Sequence, residues 1–87
     1  MHIRVVAYGT VRDLLAKDAL ALDLPSGATV LDAVAQVAAA AGASAQRLIL
    51  SPDRQRIKVL VWLDDRIAAA DAPLHDGAEL KLMHGQH

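Results

Sequence analysis

The sequence contains no cysteine and no phenylalanine, and its aromatic residues are one tyrosine and one tryptophan, Tyr8 and Trp62. Without thiols the 87-residue chain has neither disulfide staples nor a thiolate metal site. Cysteine usage therefore leaves the redox compartment open. Two aromatics also provide few large anchors on which a flat substrate could stack. Long hydrophobic runs are lacking as well: the longest, Val37 to Ala45, is interrupted by Gly42 and Ser44 and is far too short to span a bilayer. No sign of charge dominates. Nine basic against ten acidic residues give a net charge of −1, which argues against nucleic acid as the main partner. Met1-His2-Ile3-Arg4 runs straight into a strand-like pattern, so no signal peptide is expected. The expectation is a cytoplasmic domain with neither a membrane nor a nucleic-acid partner.

What is present is apolar and small. A hydrophobic fraction of 54% excludes a disordered chain, and the length sets a single domain over residues 1–87. The core must be built from Leu, Val, Ile and Ala, with alanine concentrated between Ala33 and Ala45. Ile3, Val5 and Ala7 alternate with Arg4, Val6 and Tyr8, the period of a half-buried strand. Gly9-Thr10 interrupts it, and Val11 to Leu15 reads as a helical turn or a wide loop. Leu20, Leu22 and Leu24 alternate again and stop at Pro25-Ser26-Gly27, which predicts a long hairpin with the first strand.

Thr29 is a good N-cap, and Asp32 lies in the first turn, where a carboxylate suits the unpaired amides. Val30, Val34, Val37 and Ala41 follow at helical spacing, and Gly42 is the natural stop. Residues 43–56 are less regular, with Leu48, Ile49 and Leu50 plugging one end of the core. Ile57 to Leu63 is the strongest strand, with Ile57, Val59, Val61 and Leu63 on one face and Lys58, Leu60 and Trp62 on the other. Asp64-Asp65 turns into Arg66-Ile67-Ala68. Pro73 to Gly77 turns into a last strand, Glu79 to His84, with Leu80 and Leu82 inward. The economical solution is an α+β fold: a mixed sheet of four to five strands with one main helix on one face. The first and last strands then pair in parallel at the centre, the ubiquitin-like β-grasp arrangement.

Four collinear stretches resemble one family. Val5 to Asp13 resembles the opening strand and turn of the MoaD/ThiS family, the small subunit of molybdopterin synthase and the thiamine-pathway sulfur carrier. Gly27 to Val34 resembles its helix start. Asp64-Asp65-Arg66-Ile67 stands where it usually has an Asn-Gly turn, and Pro73 to Leu80 is similar to its turn into the last strand. The resemblance implies a non-enzymatic carrier without a cofactor. Such a protein docks on a larger partner, a synthase large subunit or an adenylating enzyme. The family's chemistry resides in a tail ending Gly-Gly, whose carboxylate is adenylated and converted to a thiocarboxylate. Two glycines let such a tail thread a narrow channel. Here Met83 is followed by His84-Gly85-Gln86-His87, and only Gly85 matches. The expectation is that this tail is not activated at His87, and a binding module that keeps only the docking face is the rival reading.

No self-contained active site is legible. Asp64-Asp65 reads as a pair of exposed turn formers, and His75-Asp76 as another turn. The four histidines, His2, His75, His84 and His87, lack metal-ligand spacing and read as solvated. Arg47, Arg54, Arg56 and Lys58 form a basic run without interleaved aromatics, a solvated face rather than an RNA site. If the helix covers Ile3, Val5, Val59, Val61, Leu80 and Leu82, the other sheet face presents Val6, Tyr8, Leu60, Trp62 and Met83, with Arg4, Lys58 and Lys81 around them. An apolar patch with a basic rim predicts a protein-binding surface at Tyr8, Leu60, Trp62, Met83, Lys58 and Lys81. The loop after Leu14, or a homodimer contact, is the alternative cover for the same face.

Overall fold

The computed structural model describes residues 1–16 and 18–83. Strand β1 (His2–Ala7) leads through helix α1 (Gly9–Leu15) to β2 (Ala19–Asp23). Helices α2 (Val30–Ala41) and α3 (Ala43–Ile49) follow, then β3 (Leu60–Leu63), β4 (Arg66–Ile67) and β5 (Glu79–Met83). The sheet order is β2-β1-β5-β3-β4. Strands β1 and β5 pair in parallel at its centre, with Val5 opposite Leu80 and Ala7 opposite Leu82; the remaining pairs are antiparallel. This is the arrangement the sequence predicts, with five strands. No helix among the described residues is long and apolar enough to cross a membrane.

Strand alternation sorts side chains onto two faces. Ile3, Val5, Ala7, Leu22, Val61, Leu80 and Leu82 are buried toward the helices. Helix α2 meets them with Val30, Ala33, Val34, Val37 and Ala38. Its alanines let the axis approach the sheet closely, while each buried valine contributes about 1.5–3 kcal/mol. The start is fixed by a reciprocal box: the Thr29 N–H donates to Asp32 Oδ2 at 2.8 Å, and the Asp32 N–H donates to Thr29 Oγ1 at 3.4 Å. No polar or charged residue among those described is buried, so the core contains no desolvated acid or base.

Of the two alternatives for the segment after Tyr8 the helical one is found, with Val11 fully buried in α1. Two other local readings are corrected. Residues 43–49 form a true helix, α3, entered through Gly42, which closes α2 and opens α3 at φ +104°, a backbone state that favours glycine. Strand β3 is shorter than the alternation implies. The Lys58 N–H donates to the carbonyl of Ile49 at 2.7 Å, and Ile57 bridges Leu50, so this stretch is tied to the end of α3 and sheet pairing begins only at Leu60. Ile49 and Leu50 do close that end of the core, with Leu48 half-buried.

Candidate functional site

The helices occupy one face of the sheet, and register builds the other. Trp62 lies opposite Ile67 on one side and Lys81 on the other, and Lys81 lies opposite Val6. These four side chains form a row across β4, β3, β5 and β1. Leu60 faces Met83 in the next row of the same face. Tyr8 continues β1 in extended conformation, its N–H donating to the Leu82 carbonyl at 3.0 Å, which places it on the Met83 side. Tyr8 and Leu60 are each 43% exposed and Ile67 is 62% exposed, whereas Trp62, Met83, Lys81 and Val6 are half-buried. Exposed large side chains are thus gathered in one stripe rather than scattered, the pattern of an interaction surface.

The structure brings Tyr8, Leu60, Trp62, Met83 and Lys81 onto this face, but not Lys58. Its ammonium donates to the Arg47 carbonyl at 2.7 Å, at the C-terminal end of α3, because the chain has not yet entered β3 at that point. Arg4 is paired with Glu79 at 3.7 Å. Among the described residues the basic rim therefore reduces to one ammonium without an ion pair, Lys81, set between Trp62 and Val6. Ile67 is the member that sequence reasoning missed. A two-residue turn at Asp64-Asp65 forces Leu63 opposite Arg66 and hence Trp62 opposite Ile67, so register counting could have found it. Gly85, with His84 and His87, lies outside the described residues.

The far end of the sheet carries a polar clasp instead of free turn residues. His75 Nε2 meets Asp64 Oδ2 at 2.8 Å, and His75 Nδ1 meets the Asp76 carbonyl at 3.0 Å. The Glu79 N–H donates to Asp64 Oδ1, and the His2 N–H donates to Asp76 Oδ1. Asp64 thereby ties its own turn to His75 and β5, and Asp76 ties the second turn to β1. The hydrogen bond to Asp64, then that to the Asp76 carbonyl, raises His75 above the ordinary histidine value of 6.5. Asp64 is lowered by the bond to His75 and then by the Glu79 amide. Asp76 is lowered chiefly by the His2 amide. All of these groups lie at the surface and lock turns. Among the described residues, no three His, Cys, Asp or Glu side chains converge as metal ligands.

Neither a protein-family model nor a curated protein matches the chain. Solved structures do. SAMP1 from Haloferax volcanii superposes with a TM-score of 0.86 at 18% identity, covering 99% of this chain and 97% of that one. A protein described as molybdopterin converting factor, subunit 1, from Pyrococcus furiosus gives 0.80 at 19% identity, with 99% of each chain covered. In a complex of subunits 1 and 2 of molybdopterin-converting factor from Helicobacter pylori, the similar chain gives 0.60 at 14% identity, covering 100% and 97%. At these identities the likeness is one of architecture. The chain has the ubiquitin-like β-grasp fold.

Proposed function

We propose that the protein is a non-catalytic carrier of the sulfur-carrier type that works by docking its open sheet face on a larger enzyme. The observation that supports this reading is the stripe of Tyr8, Leu60, Trp62, Ile67 and Met83 on a face that no helix covers. Three features agree with it: the collinear sequence resemblance, the shared fold with a subunit found in complex with a second subunit, and a core without buried polar groups. Met83, the last residue of β5, lies within the stripe, so a partner seated there would contact that end of the strand.

The test is capture of the partner from the native cell, followed by titration of variants. Aromatic side chains near the centre of an interface typically contribute about 2 kcal/mol or more. Trp62→Ala should therefore weaken partner binding about thirtyfold while the domain stays folded. Normal binding by a folded Trp62→Ala protein would remove the docking face. The intact mass of the native protein tests the carrier role separately. A C-terminal sulfur-for-oxygen exchange supports sulfur transfer. An unchanged mass supports the second reading, a binding module that keeps the face without the chemistry.

A further inference from the structure

A second surface, on the helix side of the molecule, stands apart from the sheet face. A cleft of about 420 Å³ opens between α3 and the loop before β3, with Gln46, Arg47, Leu50, Pro52, Arg54 and Lys58 among its walls. Three of these six are cations. Residues 47–58 hold four basic side chains against one acid, a local balance of +3, whereas the rest of the chain holds five against nine, or −4. The ion pairs among the described residues involve the N-terminus, Arg4, Arg12 and His75, and none reaches the cleft. The single local acid, Asp53, instead accepts from the Ser51 hydroxyl and the Gln55 N–H.

Two of the three cations are nevertheless held in place, and by neutral groups. Lys58 gives one of its three protons to the Arg47 carbonyl at 2.7 Å and keeps two. With its amide oxygen turned to the guanidinium, Gln46 accepts from Arg54 Nε and Nη2, both at 2.9 Å, which leaves the outer donors of Arg54 free. Neutral acceptors position a charge without cancelling it. Three like charges around one cleft repel each other until an anion enters.

We propose that this cleft is a docking site for a carboxylate-rich segment of a partner protein. The chemistry favours such a segment over a free phosphate. Phosphate sites on loops are commonly cradled by converging backbone amides. Here the amides of Ser51, Arg54, Gln55 and Arg56 are already engaged within the loop itself. Ala43 and Pro52 add exposed apolar wall against which the stems of glutamates can lie. The opposite charge of the remaining surface would orient an acidic partner toward this edge during approach. The inference does not depend on sulfur transfer, and the site shares none of the stripe residues of the sheet face.

The experiment is an amide-resonance titration of the full chain at low ionic strength. The probe is a synthetic peptide of alternating Glu and Ala, with inorganic pyrophosphate and oligouridylate titrated in parallel. The expected result is that the peptide moves the resonances of Gln46, Arg47, Arg54 and Lys58, and that added salt weakens binding. Arg47→Glu, which preserves the backbone carbonyl used by Lys58, should raise the peptide Kd about tenfold or more, and Arg54→Gln should act in the same direction. Unchanged amide spectra elsewhere in each variant establish that it is folded. The proposal is overturned if the peptide leaves these resonances in place or if folded Arg47→Glu binds it equally well. Saturation of the cleft by pyrophosphate or oligouridylate at lower concentration than the peptide also overturns it.

Discussion

Replacing Asp32 by alanine should destabilise the domain more than replacing Thr29, although Thr29 is the N-cap of the main helix. The reason lies in the two unequal halves of the box. The bond that Thr29 Oγ1 accepts from the Asp32 N–H is long, at 3.4 Å, while the bond that the Asp32 carboxylate accepts from the Thr29 N–H is 2.8 Å. Asp32 Oδ2 also accepts from the Thr29 hydroxyl at 3.2 Å. Thr29→Ala therefore removes the weaker half and should cost about 0.5–1 kcal/mol, the lower part of the range for lost caps. Asp32→Ala removes an ionised acceptor and its favourable interaction with the helix dipole, itself about 0.3–1 kcal/mol, for a total of about 1–2 kcal/mol. In a domain of this size each kcal/mol corresponds to about 4–8 °C in Tm. Urea titrations and thermal melts of the two variants measure the difference, with unchanged m-values showing that stability alone has moved. A Thr29→Ala cost equal to or greater than that of Asp32→Ala would refute this division of the box.

Two further outcomes are expected for stability. Val34, 1% exposed beneath α2, should cost about 1–3 kcal/mol when cut to alanine, whereas Gln36→Ala on the exposed side should stay within about 0.5 kcal/mol; equal effects in urea would misplace the apolar face. The His75 clasp predicts a pH dependence. The folded-state value of His75 lies above 6.5, so its stabilising contribution is fully present below that value and is lost as pH rises through the raised one. Asp64 is lowered from 3.8, so its contribution is present above that value and lost as pH falls through the depressed one. The urea midpoint should accordingly drop between mildly acidic and mildly alkaline pH, and His75→Gln should flatten that drop. A wild-type midpoint that rises over the same interval would contradict the clasp.

How far the sequence could be read depended on whether each element announces itself locally. Helix α2 has a cap, an apolar repeat and a glycine stop, and both its ends fall where those signals stand. The central β1–β5 pair follows from alternation plus the rule that one helix covers one face. Helix α3 sends no comparable signal. It has seven residues and no side-chain cap, and it borrows Gly42 from its neighbour, so its Ala45 and Ile49 are too few to show a period. One misplacement follows from that: extrapolated alternation carries Lys58 onto the sheet face, although its amide and ammonium both bind α3. Arg47, Arg54, Arg56 and Lys58 are all exposed, as a solvated face requires, and what the sequence does not show is that three of them border one cleft walled by α3. The apolar stripe was legible except for Ile67, whose position depends on the count of turn residues rather than on hydrophobicity.

The parallel pairing of β1 with β5 also sets the order in which this protein can assemble during synthesis. The register joins residue 4 to residue 79, so the middle of the sheet is closed by the two strands farthest apart in the chain. The β1–β2 hairpin and helix α2 can form on the nascent chain, but β1 then presents an open edge to solvent until β5 leaves the ribosome. Closing so long a loop is entropically unfavourable and slows folding relative to a domain of local contacts. The centre of the sheet is thus completed by a strand made long after its neighbour, and a translation product halted before Glu79 would lack its central strand.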